Sequence, residues 1–299
     1  MDSRPDSFSP FDAELAAAPM SDPWLHGRGE APFYSPDFEL LERLLTIPVG
    51  GEKGSATGAL ANGVDSWLAH ELRRAGFGHD EVWPRATRPR ILPREIAVLL
   101  EKLPRPLAQE VRQKLDTMSV VAPTDAKYLG RAYEKQVDVS ISRWDRGPEL
   151  LISTKTQVSS FGKNLSNRFE EAYGDAGNLR SRYPLAAVGF LFVQRSTILR
   201  DEPAAFERTV DMMRKLRDIG DGNGYTATGL ALVSWSDEVP EVRMELGEVP
   251  VDIRPEQFMT KMIEQVLLAS SVGHHVHVRS GLERRRLAVE EDEAGVSAD

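Results

Sequence analysis

The sequence of 299 residues contains no cysteine. That excludes disulfides, thiolate metal centres and cysteine nucleophiles together, and it fits a reducing compartment. Long apolar runs are missing too: none approaches the roughly 18 residues that a membrane-spanning helix needs. The opening stretch MDSRPDSFSPFDAELAAAPM has acids and prolines where an export signal would have a basic start and an apolar core. A cytoplasmic protein with no membrane partner is therefore expected. Positive charge is in short supply, with 37 Lys and Arg against 46 Asp and Glu and a formal net charge of -9. The deficit is uneven, because residues 131–220 carry 15 Lys and Arg against 12 Asp and Glu, a local +3 that leaves -12 for the remainder. A basic surface that could meet a polyanion is compatible with an acidic chain.

What is present suits a folded protein. A hydrophobic fraction of 41% in a chain of this length can bury a substantial core, in one large domain or two ordinary ones. Residues 1–33, rich in Pro, Ser, Asp and Ala without a sustained period, read as an arm or loosely ordered segment. Residues 34–122 read as a mainly helical accessory domain. In it Ser35 and Pro36 resemble a helix start before Phe38, Leu41, Leu44 and Leu45, and Val64, Trp67, Leu68, Leu72 and Ala75 form a helical stripe closed by Gly76. Two further helices are expected at about 94–102 and 106–117. GGEKGSATG (50–58) lacks the ordered GK[ST] ending of a phosphate loop and reads as a flexible loop. WPRATRPRILPR (83–94) sets four arginines among three prolines, which leaves open an arm on phosphates or a solvated linker.

From residue 123 to 288 helices and strands alternate, the mark of an α/β domain with a mixed central sheet flanked by helices. The pattern predicts a helix to about 135, a hairpin, a helix near 163–175, a buried strand in PLAAVGFLFV (184–193), a helix at 203–218, a strand at 226–235, another near 241–251 and a helix opened by Pro255. DIGDGNGYTATG lacks the acids of a calcium loop and reads as a turn. HHVH (274–277), with His275 and His277 on one strand face, finds no further ligand in the sequence and reads as structural. ERRR (283–286) reads as solvated, and residues 289–299 as a disordered acidic tail.

The chemistry concentrates in EKQVDVSISRWDRGPELLISTKTQ (134–157). A two-residue turn at Arg146-Gly147 would place Asp138 opposite Lys155 and Ser140 opposite Ser153 on one face, with Val137, Val139, Ile141, Leu150 and Ile152 on the other. A longer turn would shift the pairing, and a slip of one residue would separate the set. Taken alone, Asp138 and Lys155 are equally an ordinary cross-strand ion pair worth about 0.2–1 kcal/mol.

This stretch resembles the PD-(D/E)XK nuclease superfamily, whose pattern is an Asp on one strand and D/E-x-K on the next. The matching residues are Asp138 and the S-T-K of Ser153 to Lys155, with Glu134 where many members carry a helical acid. Ser153 stands where the second metal-binding acid belongs. Some restriction endonucleases are similar in having S-x-K and a carboxylate from the following helix, which here implies Glu170 or Glu171, with Glu170 preferred from helical projection. The resemblance implies a restriction-endonuclease-like fold and a Mg²⁺-dependent endonuclease of restriction or genome-defence type acting on double-stranded DNA, with a homodimer as one arrangement. Asp138, Glu170, Glu171 and Glu134 would be the metal ligands. Lys155 would orient the attacking water or stabilise the charged transition state, with Ser153 beside it and Gln157 assisting. Lys163, Arg168, Arg180 and Arg182 would contact phosphates, with Gln194 and Arg195 similarly placed. The alternative is a nuclease-fold protein that binds nucleic acid or a partner without cutting, with Ser153 marking a lost site.

Overall fold

The structure is a computed structural model that describes residues 6–28, 31–51, 57–115, 117–236 and 238–288. The tail expected at 289–299 and most of the loop expected at 50–58 lie outside the described residues. The chain opens with a 3-10 turn (Ser9–Phe11), α1 (Asp12–Ala17) and a small ribbon of β1 (Trp24–Leu25) and β2 (Phe33–Tyr34). Next come α2 (Phe38–Gly50), α3 (Thr57–Arg74), β3 (Val82–Trp83), α4 (Arg94–Lys102) and α5 (Arg105–Leu115). The second half contains β4 (Ala126–Leu129), β5 (Glu134–Val137), β6 (Val139–Arg143), β7 (Gly147–Gln157), α6 (Leu165–Arg180), β8 (Ala187–Arg195), α7 (Ile198–Asp201) and α8 (Pro203–Lys215). It ends with β9 (Ala227–Ser234), β10 (Arg243–Met244), α9 (Pro255–Ala269) and α10 (Val276–Glu283).

A six-stranded mixed sheet, in the order β10-β9-β8-β7-β6-β3, forms the centre of an α/β fold. β7 pairs antiparallel with β6 and parallel with β8, and β8 runs parallel to β9. Both parallel connections are helical, which buries the strands on two faces and explains the unbroken apolar run of β8. Val139, Ile141, Leu150, Ile152, Leu191 and Val193 belong to a first core with α2, α3 and α9, while Leu151, Phe190, Phe192, Leu230 and Leu232 belong to a second with α6 and α8. No helix among the described residues is long and apolar enough to cross a membrane.

The boundary expected at 122 does not separate two cores. Leu41 and Leu45 of α2 and Trp67 and Leu68 of α3 pack in the same cluster as the sheet residues, so these helices are one layer of the α/β fold rather than an accessory domain. α4 and α5 have a small core of their own, with Leu92, Ala97, Leu100, Leu115 and Ala122. The segment expected as a loose arm is also tied down, since Phe11 and Trp24 are 2% exposed. The helix expected up to about 135 is instead the β4–β5 hairpin, because Ala126 and Tyr128 alternate with exposed residues at the period of a strand. Asp37, two residues after the expected cap Ser35, starts α2 by accepting from the Leu40 N–H at 2.9 Å.

His275 precedes α10 rather than lying on a strand. Its Nε2 is 3.1 Å from Glu149 Oε1, and Arg146 reaches Glu81 at 3.1 Å, so the group ties the sheet's hairpin end to the segment after α3. The structural reading of His275 stands on these contacts.

α3 carries the principal aromatic anchor of the first layer: Trp67 is fully buried, and its Nε1–H donates to the Asp37 carbonyl at 2.9 Å. Trp67→Ala is expected to cost about 3–5 kcal/mol in urea unfolding. A loss below about 1 kcal/mol would show that α3 is not anchored in this core.

Candidate active site

The β6–β7 turn is one residue longer than the two-residue turn expected. Trp144, Asp145 and Arg146 form the loop, and Gly147 at φ +72° takes the left-handed conformation that such a turn requires. Val139 therefore pairs with Ile152 and Ser140 with Leu151, with a register shift between Ile141 and Ser142. Asp138 comes opposite Ser153 and not Lys155. The displacement is two residues, an even number, so Ser140 keeps the face of Ser153 and Lys155. Asp138, however, lies between β5 and β6, and Val137, expected beside Val139, packs in the second core while Val139 packs in the first.

The ladder ends at this point. The Asp138 N–H donates to the Ile152 carbonyl at 3.1 Å, and before Asp138 the chain pairs with β4 instead of β7. The two strands fork, leaving the Thr154 N–H without the backbone acceptor that a continued ladder would supply. Asp138 Oδ2 accepts that N–H at 2.8 Å. The Thr154 hydroxyl, on the opposite side of the strand, donates to Asp65 Oδ1 of α3 at 2.6 Å. Thr154 thus holds two carboxylates that enter from different elements.

Burial pushes the Asp65 carboxyl well above the usual carboxylate range, with the Asp138 charge adding to it and the Thr154 hydrogen bond and Lys155 opposing it. Burial likewise raises Asp138, against the Thr154 N–H, Lys155 and Lys135, while Asp125 adds to the rise. Ser153 is buried and Lys155 exposed. The two acids line a cleft of about 140 Å³, together with Asn62, Arg88, Asp125 and Gln136. Two adjacent carboxyls that resist ionising side by side gain from a divalent cation, which neutralises both. The donor set is all oxygen, as Mg²⁺ requires, and Mg²⁺ usually takes one or two carboxylates and keeps several waters. Among the described residues no group of three or more His, Asp or Glu side chains converges as a metal site.

The other expected acids are not in the cleft. Glu134 is the first residue of β5 rather than part of a helix; it is exposed and paired with Leu129 at the far end of the hairpin. Glu170 and Glu171 are exposed on α6. The helix was expected to bury Leu165, Phe169 and Tyr173, but it buries Leu165, Phe169, Ala172, Ala176 and Leu179 and leaves Tyr173 60% exposed. The acid of α6 that packs inward is Asp175, which accepts from the Tyr133 hydroxyl at 3.0 Å and pairs with Lys135. Arg180 is taken up by Asp218 at 3.0 Å and by the Pro184 and Ala186 carbonyls, which argues against a phosphate contact. Lys163 and Arg182 are exposed and Arg168 is half-buried. Gln157 and Gln194 are buried and bonded to each other at 3.0 Å, with Gln157 also bracing the Ser160 and Phe161 carbonyls, so their role is to hold the loop before α6. Arg195 stacks 4.3 Å from the Trp235 ring.

Asp65 is the candidate site residue that sequence reasoning missed. Its signal was available: it lies three and seven residues before Leu68 and Leu72, an acid on the buried side of the α3 stripe.

A carboxyl whose pKa is raised by folding costs stability once the pH exceeds its unfolded value of about 3.9, because the unfolded chain then ionises more readily than the folded one. The penalty grows up to the folded pKa and is absent at lower pH, where both states are protonated. In metal-free buffer Asp65→Asn is therefore expected to be more stable than wild type at pH 8 by about 1 kcal/mol or more, with the difference vanishing below about pH 4. Urea unfolding at the two pH values measures this. A wild type more stable than the variant at pH 8 would contradict it. No protein-family model, curated protein or solved structure matches the chain, so the functional reading rests on this geometry and on the motif.

Proposed function

We propose that the chain is a Mg²⁺-dependent endonuclease of the PD-(D/E)XK kind, hydrolysing phosphodiester bonds in double-stranded DNA in a restriction or genome-defence role. The observation that carries this reading is the pair of carboxyl groups, buried Asp65 and half-buried Asp138, hydrogen-bonded to Thr154 where β6 parts from β7, with Lys155 one residue further along. The mixed sheet, with the Asp strand antiparallel to the S-x-K strand and a helical crossover to a parallel neighbour, supports the restriction-endonuclease-like assignment.

In this reading Asp65, and not Glu134, is the helical acid, and it supplies the carboxylate that Ser153 cannot. Asp65 and Asp138 would hold the cation. Mg²⁺ supplies charge neutralisation at the phosphate and a more acidic bound water. Thr154 fixes both carboxylates before substrate arrives, which removes reorganisation from the chemical step. Lys155 orients the attacking water or offsets the charge that develops on the phosphate oxygens. Cutting both strands calls for two such sites, so a homodimer on the duplex belongs to this reading.

Ser153 itself favours the second reading, a nuclease-fold protein that binds without cutting. Plasmid cleavage in Mg²⁺ separates the two. Wild type is expected to cut, Asp65→Asn, Asp138→Asn and Lys155→Ala to lose about 100-fold or more, and the double variant Glu170→Gln, Glu171→Gln to retain activity. Cleavage that survives both Asp65→Asn and Asp138→Asn would refute the site, and a wild type that binds DNA without cutting it would favour the second reading.

A further inference from the structure

The arginine-proline stretch at 83–94 is neither an extended arm nor a solvated linker. The Arg85 N–H donates to the Arg90 carbonyl at 2.7 Å, closing a loop beside the cleft, and Asp80 takes the Arg85 guanidinium at 2.6 Å. The N-terminal segment meets Arg88 and Arg90. Arg90 Nε reaches the two oxygens of Asp6 at 3.2 and 3.0 Å, and its Nη2 reaches those of Asp12 at 2.9 and 2.7 Å. Arg88 Nε lies 3.9 Å from Asp6 Oδ2.

Asp6, Arg88 and Arg90 line the same cleft as Asp65 and Asp138. Asp6 thus adds a further carboxylate to a cleft already lined by acids, at the point where its two guanidinium groups converge. A carboxylate bridging two guanidiniums presents the oxygen pattern of a phosphate, which Arg recognises by the same forked geometry. The Asp6 side chain is 7% exposed, whereas those of Arg88 and Asp12 are 36% and 45% exposed. Arg90 would stay anchored without Asp6, because Asp12 and the Arg85 and Ala86 carbonyls also hold it.

We propose that Arg88 and Arg90 form a binding site for a phosphodiester of the nucleic-acid strand next to the scissile one, and that Asp6 occupies this site until the strand displaces it. The proposal rests on the nuclease reading only for the identity of the polyanion. Arg90 Nη2 is shared, lying 2.9 Å from Asp6 Oδ2 as well as against Asp12. An incoming phosphate therefore takes over the contacts of Asp6 with Arg88 and with Arg90 Nε and Nη2, while Asp12 keeps its own bonds to Nη2. Displacing Asp6 also removes one negative charge from the path of the strand.

The test is binding of a short fluorescein-labelled DNA duplex in EDTA, which keeps affinity apart from cleavage. Asp6→Asn preserves size and one accepting oxygen, and Arg88→Ala alters a side chain that is partly in solvent, so the two variants are independent arms. Asp6→Asn is expected to bind about threefold tighter or more, and Arg88→Ala about three- to tenfold weaker, with its dependence on salt shallower by about one counterion. Both shifts are required. Either variant binding as wild type does, or no measurable binding by any of the three, would overturn the proposal. Cleavage in Mg²⁺, read on the same proteins, is a separate outcome: shifted binding without cleavage removes the nuclease reading and leaves the phosphate site. Cleavage with unshifted binding does the reverse.

Discussion

The hydrogen bonds of Thr154 are the constraint on which the cleft depends. Its amide would be orphaned where β6 leaves β7, and a buried orphan donor costs about 1–3 kcal/mol. Asp138 meets that demand with its side chain. The hydroxyl on the other side of the strand fastens Asp65, so α3 is tied to the same residue. One β-strand position thus brings together a strand acid and a helix acid separated by 73 residues. Neither acid gains this environment cheaply: Asp65 is buried and Asp138 half-buried near it, and loss of solvent opposes the ionisation of both. An arrangement that costs stability is the kind found at functional sites, where a ligand restores the balance.

The surrounding fold serves that position. α3 is buried along most of its length, and Arg73 near its end donates to the Val82 carbonyl at 2.8 Å, which fixes the start of the arginine loop. Lys135 is held by Asp175 of α6, so the cation nearest Asp138 on β5 is itself positioned by a second layer. The cleft is therefore bounded by elements from both halves of the sequence, and the N-terminal segment with Asp6 closes one side of it.

Much of this was legible in the sequence, for identifiable reasons. The strand β8, the helices α4 and α9 and the hairpin all follow from local periodicity, and Asp138 and Lys155 were assigned to one face by alternation alone. The register was not legible, because it depends on one extra residue in a turn that Gly147 makes feasible. The error was even, so Ser140 stays on the face of Ser153 and Lys155, but alternation does not carry through Asp138, where Val137 and Val139 pack in different cores. Glu170 was misjudged because helical projection cannot tell which arc of α6 meets the sheet, and the structure buries the small residues Ala172 and Ala176 in place of Tyr173. Glu134 was misplaced with its element, a hairpin whose short alternation was read as a helix. Asp65 escaped because it sits 73 residues from the motif, in a stripe taken to be purely apolar and assigned to a separate domain. The contact that joins it to Thr154 is tertiary, and no spacing rule reaches it.

The most direct measurement is calorimetric titration with Ca²⁺, which binds oxygen ligands, in pairs of buffers of different ionisation enthalpy across a series of pH values. If Asp65 and Asp138 jointly hold a divalent cation, binding is accompanied by proton release from the raised carboxyl pair, and Asp65→Asn and Asp138→Asn each abolish both the binding and the release. Binding that is undiminished in Asp65→Asn, or no binding to the wild type, would contradict the assignment of the two carboxylates as a metal site.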